Sequence, residues 1–189
     1  MVRVIVIGAG FGGLNAAKAL KRASCNVLLL DKTNHHLFQP LLYQFATAAL
    51  SITNIASPVR EIFARQENIE VLMEEVIRID KKEQKVHTAE GRSFFFDYLI
   101  VAPGAKHNYF GHDEWEKWAP GVKTAQDGDV IRERILLAFE NAERCQDPLE
   151  AKRYLNFVII GGGSTGVEMA GSTAEFARRT LFNNLDRKS

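Results

Sequence analysis

Two glycine-rich turns are the parts of this sequence whose residue types and spacing can do chemistry. The first is GAGFGG at residues 8–13, after the apolar run at residues 4–7. The second is GGGSTG at residues 161–166, after the apolar run at residues 157–160. A glycine turn from a strand into a helix holds the pyrophosphate of a dinucleotide, because the helix N-terminus attracts an anion. The sequence therefore predicts two dinucleotide-binding turns, each between a buried strand and a helix.

The three glycines of each turn have separate physical reasons. The first allows a tight change of direction, the second lets the backbone approach the pyrophosphate, and the third lets helix and strand pack closely. In that order they are Gly8, Gly10 and Gly13 in the first turn and Gly161, Gly163 and Gly166 in the second. Glycine turns also join strands to helices where no ligand binds, so one turn alone is weak evidence. Two copies in the same strand and helix context favour nucleotide binding.

Acidic residues at the expected spacing bear on which nucleotide each turn holds. Asp31 ends the apolar run at residues 26–31, about 20 residues beyond the first turn, where a carboxylate binds a ribose hydroxyl. The first site is therefore predicted to hold an unphosphorylated adenosine ribose, an ordinary polar strand end being the alternative. Asp186 has a suitable distance from the second turn, but it lies in a charged stretch. The choice between NADH and NADPH therefore stays open.

Composition excludes several classes of protein. The chain has 189 residues, of which 46% are hydrophobic and 25% charged, as in a soluble globular protein. A net charge of +1 gives no field that would gather nucleic acid. The N-terminal apolar run is too short for a signal peptide, and no stretch reaches the roughly 20 apolar residues of a membrane span. Cys25 and Cys145 form no CxxC pair, which indicates reduced cysteines in a cytoplasmic protein.

Four longer motifs, in a fixed order along nearly the whole chain, carry a resemblance to a known family. They are HHLFQPLLYQ at residues 35–44, FDYLIVAPGA at 96–105, FGHDEW at 110–115 and GGGSTGVEMAG at 161–171. With them the sequence resembles the type II NADH:quinone oxidoreductases (type II NADH dehydrogenases) of the two-dinucleotide-binding, pyridine nucleotide-disulfide oxidoreductase-like flavoproteins. Family members are longer, so the resemblance implies that the chain is an N-terminal portion of that design.

The resemblance implies an FAD-dependent oxidoreductase that takes hydride from NADH and passes electrons to a quinone without pumping protons. It also implies peripheral attachment of the intact protein to the inner face of the cell membrane, and a possible homodimer. Two other functions stay open: another NAD(P)H-dependent flavoprotein, such as an oxidase or ferredoxin reductase, and a truncated product that binds nucleotide without turnover. The absence of a cysteine pair argues against transfer of electrons through a dithiol.

The expected fold is α/β. Residues 1–125 are predicted to form the N-terminal part of a Rossmann-like FAD-binding domain with a three-stranded β-meander insert, from short strands within 69–86 and 94–101. Residues 126–155 are predicted to be a linker-helix region, from apolar residues at helical spacing between 127 and 145. Residues 156–189 are predicted to begin a second Rossmann-like domain, which binds NADH.

Site residues follow from the resemblance where this sequence matches the family motifs. Those implied to contact FAD are Gly8, Gly10, Phe11, Gly12, Gly13, Asp31, Lys32, Val76 through its backbone, Ala102 and Gly104, with Gln39 and Pro40 beside the isoalloxazine. The second turn is implied to hold NADH, with Glu168 as the active-site residue; a helix first-turn acid favoured by the dipole is the alternative. Pro103 departs from the threonine usual in the family and removes a hydroxyl beside Gly104.

Two further groups of side chains are given ordinary structural roles. His35 and His36 resemble a metal pair, but no third ligand stands at useful spacing, so no metal site is predicted. Phe110, Trp115 and Trp118 are expected to form an aromatic patch beneath a long loop rather than a surface for stacking on a ligand ring.

Overall fold

A computed structural model describes residues 1–185, with side chains described through Arg179. Asp186 therefore lies outside the described residues. Contacts between residues divide the chain into two compact units. The first unit consists of Met1–Leu37 and Ala56–Ala105, and the second consists of Phe38–Ile55 and the chain from Lys106 onward. The domain boundaries at residues 125 and 155 stay predictions.

A four-stranded parallel sheet forms the centre of the first unit. Its strands are β1 (Val2–Ile7), β2 (Cys25–Asp31), β5 (Ile69–Met73) and β9 (Tyr98–Val101). They stand in the order β5-β2-β1-β9. Parallel strands covered on both faces require nearly continuous apolar sequence, and β1 and β2 provide it. This order agrees with the predicted Rossmann-like fold.

The two faces of this sheet bury different side chains because successive residues of a strand point in opposite directions. On one face Val4, Val6 and Leu29 form a core with Leu14 and other residues of α1 (Phe11–Ala19). On the other face Ile5, Leu28 and Leu30 pack with Val86, a residue of the second sheet. Both faces of the sheet are therefore covered by other elements, so a binding site is expected at the ends of the strands.

The second sheet of this unit is the predicted three-stranded meander. It consists of β6 (Val76–Asp80), β7 (Lys85–Thr88) and β8 (Ser93–Phe95), paired antiparallel in sequence order. Two smaller elements complete the first unit. They are the antiparallel pair β3 (His35–Leu37) and β4 (Ala56–Pro58), followed by the short helix α4 (Val59–Ile62).

The second unit is helical in the residues described. Its helices are α2 (Leu42–Ala46), α3 (Ile52–Ile55), α5 (Ala125–Arg144), α6 (Pro148–Tyr154) and α7 (Ser164–Leu185). The helix expected between residues 127 and 145 is α5. It begins at Ala125, because the N-cap residue Thr124 and Asp127 form a reciprocal capping box, which satisfies N–H groups at the start of the helix.

Helix α5 supports α2 through a close contact and a set of polar bonds. Gly128 faces Phe45, and a Cβ at residue 128 would lie 2.7 Å from Cδ1 of that ring. One turn further along, the Arg132 guanidinium donates to the carbonyl oxygens of Phe45 and Leu50, at 3.5 and 2.9 Å. The position of α2 in this unit is therefore fixed by two contacts with α5, the packing of Gly128 against Phe45 and the hydrogen bonds of Arg132.

The prediction of a buried strand at residues 157–160 is wrong for the described chain. No strand is formed there, and Val158 and Ile160 are each 81% exposed. A strand gains its hydrogen bonds and its burial from neighbouring strands, and within residues 1–185 no segment pairs with this one. The apolar sequence alone indicated the strand and contained no information on its partner.

The aromatic patch is also different from the expectation. Phe110 and Trp118 are largely exposed, and Trp115 is half exposed with its ring stacked on His112 at 4.2 Å between centroids. These side chains do not lie beneath a loop. Among the described helices, none is both long enough and apolar enough to span a membrane.

Candidate functional site

The first glycine turn closes on itself in the way that its spacing predicts. Gly8 has a φ of +97°, which a residue with a side chain rarely adopts, and its N–H donates to the Leu30 carbonyl at 2.8 Å. A Cβ on Gly13 would overlap the carbonyl oxygen of Gly8, and a Cβ on Gly8 would overlap that of Ala102. Glycine is therefore required at both positions by backbone packing alone.

The second turn has the same internal geometry. Gly161 has a φ of +106°, and a Cβ on Gly166 would overlap the carbonyl oxygen of Gly161. In each turn the third glycine of the motif thus packs against the carbonyl of the first. The internal repeat that the sequence shows is therefore also a repeat of backbone structure, although the strand expected before the second turn is not formed.

The middle glycine of each turn faces open space. A Cβ on Gly10 or Gly163 would meet no heavy atom within 4 Å. Gly10 is the N-cap of α1, supplies no side-chain cap, and precedes a first turn without acidic residues. The first turn of a helix presents N–H groups that have no acceptor within the helix. The first site therefore fits an anionic pyrophosphate, which can approach where a side chain is missing.

Asp31 is the last residue of β2, as predicted, and its carboxylate lies against the first turn. Oδ2 accepts from the N–H of Ala9 at 2.5 Å, while Oδ1 accepts from the N–H and the hydroxyl of Thr33, both at 2.7 Å. A carboxylate has about four lone-pair positions, so these bonds leave capacity on Oδ2 for one more donor. A ribose hydroxyl is a donor of the required kind.

His36 has a role at this turn that the sequence did not reveal. Its Nδ1–H donates to the carbonyl oxygen of Ala9 at 2.8 Å, and its ring meets Phe11 edge to face at 5.0 Å. Ala9 of the turn is thus hydrogen-bonded both to Asp31 at the end of β2 and to His36 of β3. Within residues 1–185, no group of three or more His, Cys, Asp and Glu side chains could hold a metal ion.

The other residues implied for the pyrophosphate and adenosine of FAD also lie in the first unit, whereas Gln39 and Pro40 belong to the second. Lys32 follows β2 and is exposed, and Val76 is the first residue of β6. Ala102 extends β9, because its N–H donates to the Ile7 carbonyl at 2.8 Å, and Gly104 has a φ of +76°. Positions 8, 31 and 102 therefore stand at the carboxyl ends of three adjacent strands, the edge where open α/β sheets bind ligands.

The second unit contains a cavity of about 240 Å³ that brings three of the predicted site residues together. Its lining residues are Gln39, Pro40, Tyr43, Val122, Ser164, Thr165 and Glu168. Gln39, Pro40 and Glu168 are those predicted. Tyr43 was missed, although it stands four residues after Gln39 in the HHLFQPLLYQ motif, and so were the first two residues of α7.

Two contacts hold the walls of this cavity in place. Thr47, which is buried, donates its hydroxyl proton to the Tyr43 carbonyl at 2.9 Å. Its oxygen lies 2.5 Å from the Ser172 hydroxyl of α7. Thr47 directly follows α2, so the C-terminal end of α2 is joined to α7 about one turn away from the cavity.

The segment that contributes Val122 is fixed by the partly buried carboxylate of Asp127. The Asp127 carboxylate accepts from the N–H groups of Lys123 and Thr124 at 2.9 and 2.8 Å, and from Nε2 of His107 at 3.1 Å. Burial alone would raise the pKa of Asp127, but these hydrogen bonds outweigh it and hold the pKa below its ordinary value of 3.8. Gly121 leaves room for the imidazole, because a Cβ there would overlap the ring of His107.

Comparison with known proteins gives the same picture from an independent direction. Type II NADH:quinone oxidoreductase NdhA of Mycobacterium tuberculosis is 53% identical over 183 residues, which cover 95% of this chain and 39% of that protein. The related Ndh of the same organism is 48% identical over 97% of this chain and 41% of its own length. The chain therefore spans about two fifths of the length of these relatives.

Solved structures agree with the fold. NDH2 from Plasmodium falciparum, in complex with NADH, superposes with a TM-score of 0.84 and 28% sequence identity, covering 97% of this chain and 39% of that one. A family model described as pyridine nucleotide-disulphide oxidoreductase matches residues 2–188. On its sequence and its structure, the chain belongs to the pyridine nucleotide-disulphide oxidoreductase family.

Proposed function

We propose that the chain carries the FAD-binding turn and the nicotinamide-facing residues of an FAD-dependent NADH:quinone oxidoreductase. The observation that carries this proposal is the pair of glycine turns, because each has a positive-φ first glycine, an open second glycine and a closely packed third. Two turns of this kind in one chain match the need for two dinucleotides. The printed functions of the two Mycobacterium tuberculosis relatives support NADH and quinone as the substrates.

The first unit is proposed to hold FAD. Gly10 and the N-terminus of α1 would accept the pyrophosphate, with Phe11 and Gly12 beside it and Gly13 keeping the turn closed. Asp31 would bind the ribose, Lys32 would lie at the adenosine, and the backbone of Val76 would contact adenine. Ala102 and Gly104 would contribute backbone at the strand ends. When bound, FAD would supply an acceptor for one hydride, which carries two electrons.

The second unit is proposed to receive NADH. Gly161, Gly163 and Gly166 form the turn for its pyrophosphate, and α7 begins directly after that turn. Glu168 follows near the start of α7 and lines the cavity with Gln39 and Pro40. We propose Glu168 as the carboxylate that contacts the reacting nicotinamide, with Gln39 and Pro40 beside the flavin ring. NADH rather than NADPH rests on the names of the relatives.

The proposal also includes the electron acceptor and the location of the intact protein. Quinone is the acceptor named for the relatives, and no residue of this chain identifies it independently. Peripheral attachment to the inner face of the cell membrane and a homodimer are proposed for the intact protein from the same resemblance.

The acceptor can be tested by steady-state oxidation of NADH by the FAD-loaded chain with menadione, oxygen or a ferredoxin. We expect menadione to be reduced fastest, and NADH to be used in preference to NADPH. Faster reduction of oxygen or ferredoxin would assign the chain to another class of NAD(P)H-dependent flavoprotein. If a chain that has bound FAD oxidises NADH with none of the three, the function is nucleotide binding without turnover.

A further inference from the structure

Tyr43 is a residue of the cavity to which the proposed function gives no role. Its hydroxyl oxygen accepts a hydrogen bond from Nε2 of Gln44 at 3.1 Å. A tyrosine hydroxyl has one proton to donate and can accept through its oxygen. Because Gln44 uses an acceptor position and not the proton, the Tyr43 proton is available to an acceptor in the cavity.

Helix geometry places Tyr43 and Glu168 beside the same cavity. Residues four apart lie on the same face of a helix, so Tyr43 shares a face with Thr47, and Glu168 shares a face with Ser172. The hydroxyls of Thr47 and Ser172 are 2.5 Å apart, so these two faces meet. One turn earlier on each helix, Tyr43 and Glu168 face the same cavity. A residue that can donate from a hydroxyl and a residue that can accept at a carboxylate thus line one cavity.

A donor and an acceptor in one cavity select a ligand group with the complementary pair. A primary carboxamide has a carbonyl oxygen that accepts and an NH₂ group that donates, on one planar unit. An ester or ketone offers the acceptor alone. The nicotinamide ring of NADH carries such a carboxamide, whereas a quinone carries only carbonyl acceptors.

We infer that Tyr43 is a specificity-determining residue that donates its hydroxyl proton to the carboxamide oxygen of nicotinamide, while Glu168 accepts from the carboxamide NH₂. This inference rests on the proposed function, because it takes NADH as the ligand of the cavity. Gln44 acts as a positioning residue, since its amide donor keeps the Tyr43 proton directed away from itself. The Thr47 and Ser172 pair sets the separation of the two walls.

Binding of two probes to the FAD-loaded chain separates the two hydrogen bonds. The probes are NAD⁺ and its 3-acetylpyridine analogue, which keeps the carbonyl but has a methyl group in place of NH₂. Loss of one neutral hydrogen bond changes a dissociation constant roughly twofold to tenfold. Tyr43→Phe should therefore raise the Kd of both probes by such a factor, measured by calorimetry. Glu168→Ala should raise the Kd of NAD⁺ by a larger factor than that of the analogue, because both probes lose the attraction of the carboxylate for the pyridinium ring but only NAD⁺ loses the hydrogen bond from NH₂.

Two further variants test the orientation of the proton. Gln44→Glu replaces the amide donor with a carboxylate that accepts the Tyr43 proton. This variant should therefore raise the Kd of both probes, as Tyr43→Phe does. Tyr98→Phe removes a hydroxyl from an exposed tyrosine of β9 and should leave both Kd values unchanged.

The outcomes distinguish this inference from the proposed function. If the wild-type chain binds FAD but not NAD⁺, the proposed function fails for this chain and the inference fails with it. If the wild type binds both probes and Tyr43→Phe binds them equally well, the inference alone is overturned. Equal weakening of both probes by Glu168→Ala would overturn the assignment of the NH₂ group.

Discussion

At the scale of single residues, some glycines of the turns are required for folding and others only for binding a ligand. Gly13 is required by the protein itself, because a Cβ there would overlap the Gly8 carbonyl. Gly10 faces open space and is required only if something approaches it. The two positions lie three residues apart in one motif, so they give a matched pair of substitutions.

We expect Gly13→Ala to lower the free energy of unfolding by about 1–3 kcal/mol, the usual result of forcing a methyl group into a packed site. Gly10→Ala should unfold at nearly the wild-type urea concentration but bind FAD more weakly, because its methyl group occupies the place of the pyrophosphate. Urea unfolding of the apoprotein and titration with FAD measure the two effects. Wild-type FAD affinity in Gly10→Ala would contradict the placement of the pyrophosphate.

Asp127 predicts a dependence of stability on pH. The pKa of its carboxyl in the folded chain lies below the ordinary value of 3.8, so its contribution is present above pH 3.8 and is lost as the pH falls through the folded pKa. Asp127→Asn should therefore destabilise the chain at pH 7, on the order of 1 kcal/mol. The difference in the free energy of unfolding between this variant and the wild type should become smaller below pH 3.8. Asp129→Asn, at an exposed position of the same helix, is the control. A difference in the free energy of unfolding between Asp127→Asn and the wild type that becomes larger as the pH falls would refute the account.

Sequence reasoning at this scale found the residues with a spacing rule. The third glycine packs on the first in both turns, and Asp31 ends β2, as the spacing predicts. It missed His36 and Tyr43, because neither has a partner at a fixed distance along the chain. His36 contacts Ala9 across 27 residues, and only folding brings the two together.

At the scale of elements, segment 157–160 and strand β2 have similar sequences and different structures. Both are runs of large apolar residues, but β2 is paired on both sides, by β1 and β5. Segment 157–160 has no such pairing among the described residues. Composition can indicate that a segment favours a strand, while pairing depends on which other segments are beside it.

Hydrogen exchange followed by mass spectrometry or NMR should show this difference directly. Amides 27–30, in the middle of the sheet, should be protected up to the free energy of global unfolding. Amides 157–160 should exchange within the earliest time points, because they have no ladder partner. Equal protection of the two segments would show that residues 157–160 pair in solution, and the description of this segment would be wrong.

At the scale of the whole molecule, the two compact units are not continuous in sequence. Residues 38–55 group with the chain beyond residue 105 rather than with the residues on either side of them. Contacts such as that of Thr47 with Ser172, 125 residues apart, cause this grouping. The sequence predicted the fold class and the meander, because the glycine turns between apolar runs are local patterns and the meander is typical of the family that the chain resembles. It gave no indication of this long-range grouping, because no local pattern encodes it.

The central claim is that this chain binds FAD and delivers hydride to it from NADH. The most direct test is the visible absorbance of the purified, FAD-loaded chain before and after NADH is added without oxygen. The account predicts flavin bands that remain with the protein through gel filtration and bleach on addition of NADH. A chain that retains no flavin, or whose flavin bands are unchanged by excess NADH, would contradict it.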